Sequence, residues 1–170
     1  TEALRDYNKC LGIDPTIASA YYGKARVFSI QEKWQDAIEN YDEAIKKSVA
    51  LESVHWKARR LKGAAHLELK EYVKAHFELK LFVNRKFKKN DPILGWRRWA
   101  LFNYGLCCFE TEHFLDGVAA FDEALNLPEL NDGVDKSELL RLRGMSKSRA
   151  GKSGGIKDLK ESVKLGNKMS

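Results

Sequence analysis

Five times along this chain a small side chain is followed four positions later by an aromatic residue or leucine, and three positions after that by a further packing residue. The runs are Ala3…Tyr7…Cys10, Ala37…Tyr41…Ala44, Ala75…Leu79…Phe82, Gly117…Phe121…Ala124 and Gly155…Leu159…Ser162. Residues at i, i+4 and i+7 lie on one face of an α-helix, so each run predicts a helix with one apolar stripe. The first residues stand at 3, 37, 75, 117 and 155, so the steps are 34, 38, 42 and 38. A near-constant step of this length is the mark of a stacked array, in which no unit buries its apolar face alone and neighbours supply the core.

Upstream of the last four runs lies a second helix-length segment with a small residue near its middle: Ala25, Gly63, Gly105 and Gly144. An aromatic residue then opens the following helix at Trp34, Tyr72 and Phe114. Small residues let two helix backbones approach while large ones fill the space between them, which predicts antiparallel helix pairs. Asp14-Pro15-Thr16 and Asp91-Pro92 are expected to mark helix starts, and Asn131-Asp132-Gly133 a turn. Sustained apolar–polar alternation is absent, so no strand is predicted.

The reading is an all-α chain of stacked antiparallel helix pairs. Residues 1–15 form the second helix of a truncated unit, followed by units at 16–50, 51–90, 91–130 and 131–170. A helix preceding Thr1 is expected to complete the first unit, and without it Leu4 and Leu11 stand partly exposed.

These residues resemble the tetratricopeptide repeat family, whose 34-residue unit carries recurring small and aromatic positions. Tyr21, Ala25, Phe28, Trp34, Ala37, Tyr41 and Ala44 fall in its register, and Pro15 closes the preceding half-unit in the family manner. The resemblance implies a right-handed superhelix acting as a non-catalytic protein–protein interaction scaffold, with a concave groove lined by the first helix of each pair. Carried over position by position, the groove residues are Tyr22, Arg26, Lys57, Arg60, Trp99, Phe102, Asn103, Leu106 and Arg141. Such a basic and aromatic surface suits an acidic peptide segment of another protein, since Arg pairs carboxylates and Trp or Phe supplies buried area. One subfamily grips a terminal carboxylate with a clamp of two basic and two Asn residues. This chain matches it only in part: Arg60, Asn103, Arg143 and Lys147 are present, but Ala64 stands where an Asn is needed.

The net charge of +6 is unevenly distributed, with ten Lys/Arg against three Asp/Glu between Lys136 and Ser170. Basic and aromatic residues also interleave in "NRKFKKNDPILGWRRW", residues 84–99, the composition of a single-stranded nucleic-acid surface. RNA binding through this stretch and the basic last unit is therefore the alternative reading, and end-to-end self-association of the array is a third.

Nothing in the sequence suggests catalysis or a cofactor. "AGKSGG" at 150–155 lacks the first glycine and the preceding strand of a phosphate-binding loop and reads as a turn. Cys107, Cys108 and His113 lack a second ligand pair at metal-site spacing, so no metal is expected, and the cysteines read as core residues. Three cysteines, two of them adjacent, make no disulfide framework and point to a reducing compartment, with the cytoplasm as the expected location. No apolar run reaches the roughly 20 residues needed to cross a bilayer, so no membrane association is expected.

Overall fold

The computed structural model describes residues 1–129 and 131–166, so the predicted unit boundary at Leu130 and the last unit's end, 167–170, lie outside the described residues. Nine α-helices occur among them: α1 (Glu2–Ile13), α2 (Ala18–Ile30), α3 (Trp34–Lys47), α4 (Ser53–Glu68), α5 (Tyr72–Asn84), α6 (Arg97–Glu110), α7 (Phe114–Asn126), α8 (Lys136–Arg149) and α9 (Gly155–Gly166). A short 3₁₀ helix, Pro92–Trp96, precedes α6, and no strand occurs among the described residues. None of these helices is long and apolar enough to cross a membrane. The chain divides into two compact units, Thr1–Phe82 and Val83–Ser170.

In the first unit the repeated stripe is the core. Ala37, Tyr41 and Ala44 of α3 are fully buried with Ala25 of α2 and Ala58 of α4, and Tyr21, Phe28, Ile45 and Leu61 pack around them. Small residues in α2 and α4 mark where neighbours come closest. A Cβ on Gly23 would fall 2.3 Å from Tyr7 of α1, and one on Gly63 3.0 Å from Leu79 of α5. The α1 helix has no fully buried residue, and Leu4 and Leu11 are half-buried.

The second unit repeats the arrangement. Phe121 and Ala124 of α7 are fully buried beside α6, where a Cβ on Gly105 would lie 2.5 Å from the Phe121 ring. In α8 and α9 the contact is backbone to backbone, since a Cβ on Gly144 would lie 2.8 Å from the Gly155 carbonyl oxygen.

One turn recurs inside all four helix pairs. Glu32, Lys70, Glu112 and Gly151 have φ of 57°, 56°, 63° and 66°, and the next residue's N–H reaches back across the helix end. Those bonds are Lys33 to Phe28, Glu71 to His66, His113 to Cys108 and Lys152 to Lys147, at 2.7–3.0 Å. A left-handed residue with this back-bond ends a helix and satisfies its last carbonyls. Only the fourth turn uses glycine, and it also carries Gly154 at φ 84°, so "AGKSGG" is the link between α8 and α9.

Two expected helix starts differ. Asp91 does cap the 3₁₀ helix, accepting from Ile93 N–H at 3.0 Å. Asp14, however, folds onto Thr16 N–H and Oγ1, and α2 begins later, at Ala18, without a side-chain cap. Pairing with the nearby Thr16 hydroxyl satisfies the carboxylate before the helix starts.

Candidate functional site

The predicted groove residues fall on the first helix of each pair. In the first unit Tyr22 and Arg26 are one turn apart on α2, and Lys57 and Arg60 lie on α4. The Arg26 guanidinium carbon stands 5.9 Å from the Tyr22 ring centroid, and the side chain is exposed, with no ion pair among the described residues. Tyr22 in turn tilts against the buried Tyr41, with centroids 6.1 Å apart.

Arg60 was expected on an exposed surface, yet it is only 7% accessible. Burial lowers its pKa, Tyr22 and Tyr41 act in the opposite sense, and the Arg26 charge lowers it again. Two guanidinium groups thus gather at Tyr22, one facing solvent and one largely stripped of it. Lys57 is exposed beside them on α4.

In the second unit Trp99, Phe102 and Leu106 of α6 are half-buried, the Phe102 ring 6.4 Å from that of Phe121. Asn103 was also expected to be exposed; it is buried at 9%, and its amide donates to the Trp99 carbonyl at 2.9 Å. Arg141 is exposed but committed, with Nε and Nη2 donating to Glu138 at 2.6 and 2.5 Å and Nη1 lying 3.1 Å from the Met145 sulfur.

The basic stretch at 84–99 changes character once folded. Arg98 is 3% exposed, donating to Asp132 at 2.7 Å and to the Val134 carbonyl at 3.0 Å. Arg97 pairs with Glu123 and reaches the Val83 carbonyl. The two arginines nearest the tryptophans therefore hold the second unit together. Lys86, Lys88 and Lys89, which follow the end of α5, remain exposed, as is Trp96 at 43%.

A recurring ion-pair device was not foreseen. The residue before the small position of the first helix, Lys62 in α4 and Arg143 in α8, bridges the second helix of the preceding pair and that of its own. Lys62 reaches Asp42 at 2.6 Å and Glu78 at 2.7 Å. Arg143 reaches Asp122 at 2.8 Å and Asp158 at 2.6 Å. Arg59 adds to Glu78, and Lys147 to Asp158. Asp42 and Asp122 are half-buried members of these bridges. Arg143 and Lys147 are accordingly engaged with Asp158 rather than with a carboxylate ligand. The device is legible as a cation before the small residue and an acid after the large one, in Tyr41-Asp42 and Phe121-Asp122.

Cys107 and Cys108 lie fully inside the second unit, and burial, foremost, pushes the Cys107 thiol up to about 12. His113 is exposed, its Nδ1 2.9 Å from the Thr111 hydroxyl. Among the described residues no cluster of His, Cys, Asp and Glu has the arrangement of a metal site.

Comparison with known proteins places the fold. No protein-family model matches the chain, and no curated protein matches it. Among solved structures it is similar to YrrB, described as a TPR protein with an unusual peptide-binding site. That match has a TM-score of 0.75 and 18% identity over 95% of this chain and 75% of YrrB. It is also similar to MamA, from residue 41 to its end, from Desulfovibrio magneticus RS-1, with a TM-score of 0.72 and 18% identity over 98% and 85% of the two chains. A structure of the APC/C hetero-tetramer Cut9-Hcn1 matches at 0.58 and 19% identity, over 96% of this chain and 30% of that one. The fold is that of the tetratricopeptide repeat proteins.

Proposed function

We propose that the protein is a non-catalytic interaction scaffold whose first-helix face binds an acidic peptide segment of another protein. The observation that carries this reading is the arginine pair at Tyr22. Arg26 is exposed without an ion pair among the described residues, and Arg60 lies in a low-water environment beside it.

A partially desolvated guanidinium attracts a carboxylate more strongly than a hydrated one, and its planar fork donates to both oxygens. Arg26 supplies the outer contact, Arg60 the inner one, and Lys57 extends the positive surface along α4. Independently, Trp99, Phe102 and Leu106 give α6 an apolar face suited to an anchoring side chain. The peptide-binding site named for YrrB supports a peptide as the ligand class. Binding is recognition alone, with micromolar affinity, about −8 kcal/mol, because ordering an extended ligand offsets much of the contact energy.

Fluorescence anisotropy with a labelled ten-residue Glu-rich peptide carrying one Phe tests the proposal. Arg26→Glu should weaken binding at least tenfold, about 1.4 kcal/mol, without altering the melt, because Arg26 is solvent-facing. Unchanged affinity would remove the site from this face. If labelled single-stranded RNA binds more tightly than the peptide, with a steep salt dependence, the exposed Lys86, Lys88 and Lys89 become the site instead.

A further inference from the structure

The outward face of α5 is unlike that of its sister helices. Val73, Phe77 and Leu81, spaced i, i+4 and i+8, form one stripe and are 74%, 59% and 37% exposed. They point away from Ala75, Leu79 and Phe82, which α5 buries in full or nearly so. Counted from the small residue that opens each stripe, the corresponding positions of α3 hold Gln35, Glu39 and Glu43, and those of α7 hold Leu115, Ala119 and Glu123. In α9 the second and third positions are Lys157 and Glu161. Only α5 is apolar at all three positions. Helix pairing does not demand that, because α3 packs its inner face with only polar residues at these outer positions, and α7 and α9 expose isolated apolar side chains, Leu115, Ile156 and Val163, among polar or small ones.

The stripe borders a cleft of about 510 Å³ between α3 and α5, with Ile38, Lys62 and His66 among its lining residues. Across the cleft α3 presents Asp42, held by Lys62, and the exposed Glu39, whereas the unpaired charges on the α5 side are basic. Lys70 and Lys80 are exposed beside the stripe without an ion pair among the described residues, whereas Glu78, the acid of α5, is engaged inward by Arg59 and Lys62, and Glu71, just before α5, is paired with Lys74 and His66.

We propose that this face of α5 is a second docking surface, for an acidic amphipathic helix of a partner protein. Apolar anchors at helical spacing would lie along Val73, Phe77 and Leu81 and enter the cleft, while carboxylates on the flank of that helix meet Lys70 and Lys80. Charge argues for this occupant over a second copy of the chain. Two α5 faces packed antiparallel about a two-fold axis would bring each lysine flank against its own kind. The surface is distinct from the arginine pair at Tyr22, so either can fail without the other.

The test uses a synthetic 18-residue helix with Leu at i, i+4 and i+8 and Glu on its flanks, beside a scrambled peptide of equal composition. By fluorescence anisotropy the whole chain should bind the helical peptide at least tenfold more tightly than the scrambled one. Phe77→Ser with Leu81→Ser should abolish that difference, Lys70→Glu with Lys80→Glu should reduce it severalfold, and Arg26→Glu should leave it intact. All these side chains are exposed, and circular dichroism checks that the variants fold. Equal affinity for the two peptides, or full affinity in the Phe77/Leu81 variant, overturns the proposal. So does a concentration-dependent dimer in sedimentation that the same variant abolishes, which assigns the face to a second copy. Binding to phosphatidylserine vesicles that this variant abolishes, with no preference for the helical peptide, assigns it to an anionic membrane and equally overturns it.

Discussion

Replacing Glu78 by Gln tests whether the recurring bridges stabilise the array through burial or through charge alone. The Glu78 side chain is 5% exposed and accepts from Arg59 Nη1 and Lys62 Nζ, both at 2.7 Å, while those cations are 16% and 14% exposed. A charge-assisted hydrogen bond contributes about 1.5–3 kcal/mol, and removing one member of a buried pair costs about 3–5 kcal/mol because the remaining charge cannot rehydrate. Gln keeps one acceptor oxygen, so the expected loss is about 3 kcal/mol. Asp42, the other partner of Lys62, is 40% exposed, and Asp42→Asn should cost less than about 1 kcal/mol because water screens the pair. Urea titration followed by far-ultraviolet circular dichroism separates the two. With a slope near 2 kcal/mol per molar, Glu78→Gln moves the midpoint by about 1.5 M and Asp42→Asn by less than about 0.5 M. The second unit should repeat the ranking, with Asp158→Asn costly and Asp122→Asn mild, since their side chains are 5% and 47% exposed. Equal losses for Glu78 and Asp42 would refute the argument from burial.

Four further outcomes follow from the same geometry. Relieving left-handed strain by Glu32→Gly, Lys70→Gly or Glu112→Gly should each raise stability by about 1 kcal/mol in urea titration, while Gly151→Ala should lose a similar amount. Gly105→Ala, which drives a Cβ into the Phe121 ring, and Gly144→Ala, which drives one onto a backbone oxygen, should each lower stability by about 2–3 kcal/mol. Burial raises the Asp158 pKa, but the bonds from Arg143 and Lys147 outweigh it and leave the group below its ordinary value; its stabilising contribution is then present above about pH 4 and is lost as pH falls through the folded value, so the melting temperature should drop in acid, and less steeply in Asp158→Asn. Native protein should expose Cys10, half-buried on α1, to a thiol reagent faster than Cys107 and Cys108, and all three cysteines should react once the chain is unfolded.

The helices were legible because close packing leaves a periodic trace. Ala25, Gly63, Gly105 and Gly144 recur wherever two backbones approach, and Tyr41, Leu79 and Phe121 recur wherever the space between pairs must be filled. Gly144 and Gly155 likewise mark a real contact, since their backbones meet. The polar residues left no such trace. Arg60 carries the same charge as Arg26, but burial depends on what stands opposite each, in this case Tyr22 and Tyr41 for the first and solvent for the second. Arg98 reads as a surface cation in "GWRRW", and only the fold brings Asp132, 34 residues away, into contact with it.

The array thus separates two kinds of information in each helix. One stripe of every second helix meets its partners and is constrained to small and large apolar residues; the opposite face is free, and three of the four such helices outside α1 use it mainly for polar or small groups. A helix apolar on both faces has little amphipathic signal, so α5 is easily mistaken from sequence for one that is merely more buried than its neighbours. Its exposed side chains show the reverse: the inner face already fills the core through Leu79 and Phe82, and the outer stripe is surplus to folding. Apolar area left in water without a folding role opposes solubility, so its retention, framed by lysines, is the physical reason to look for a partner there.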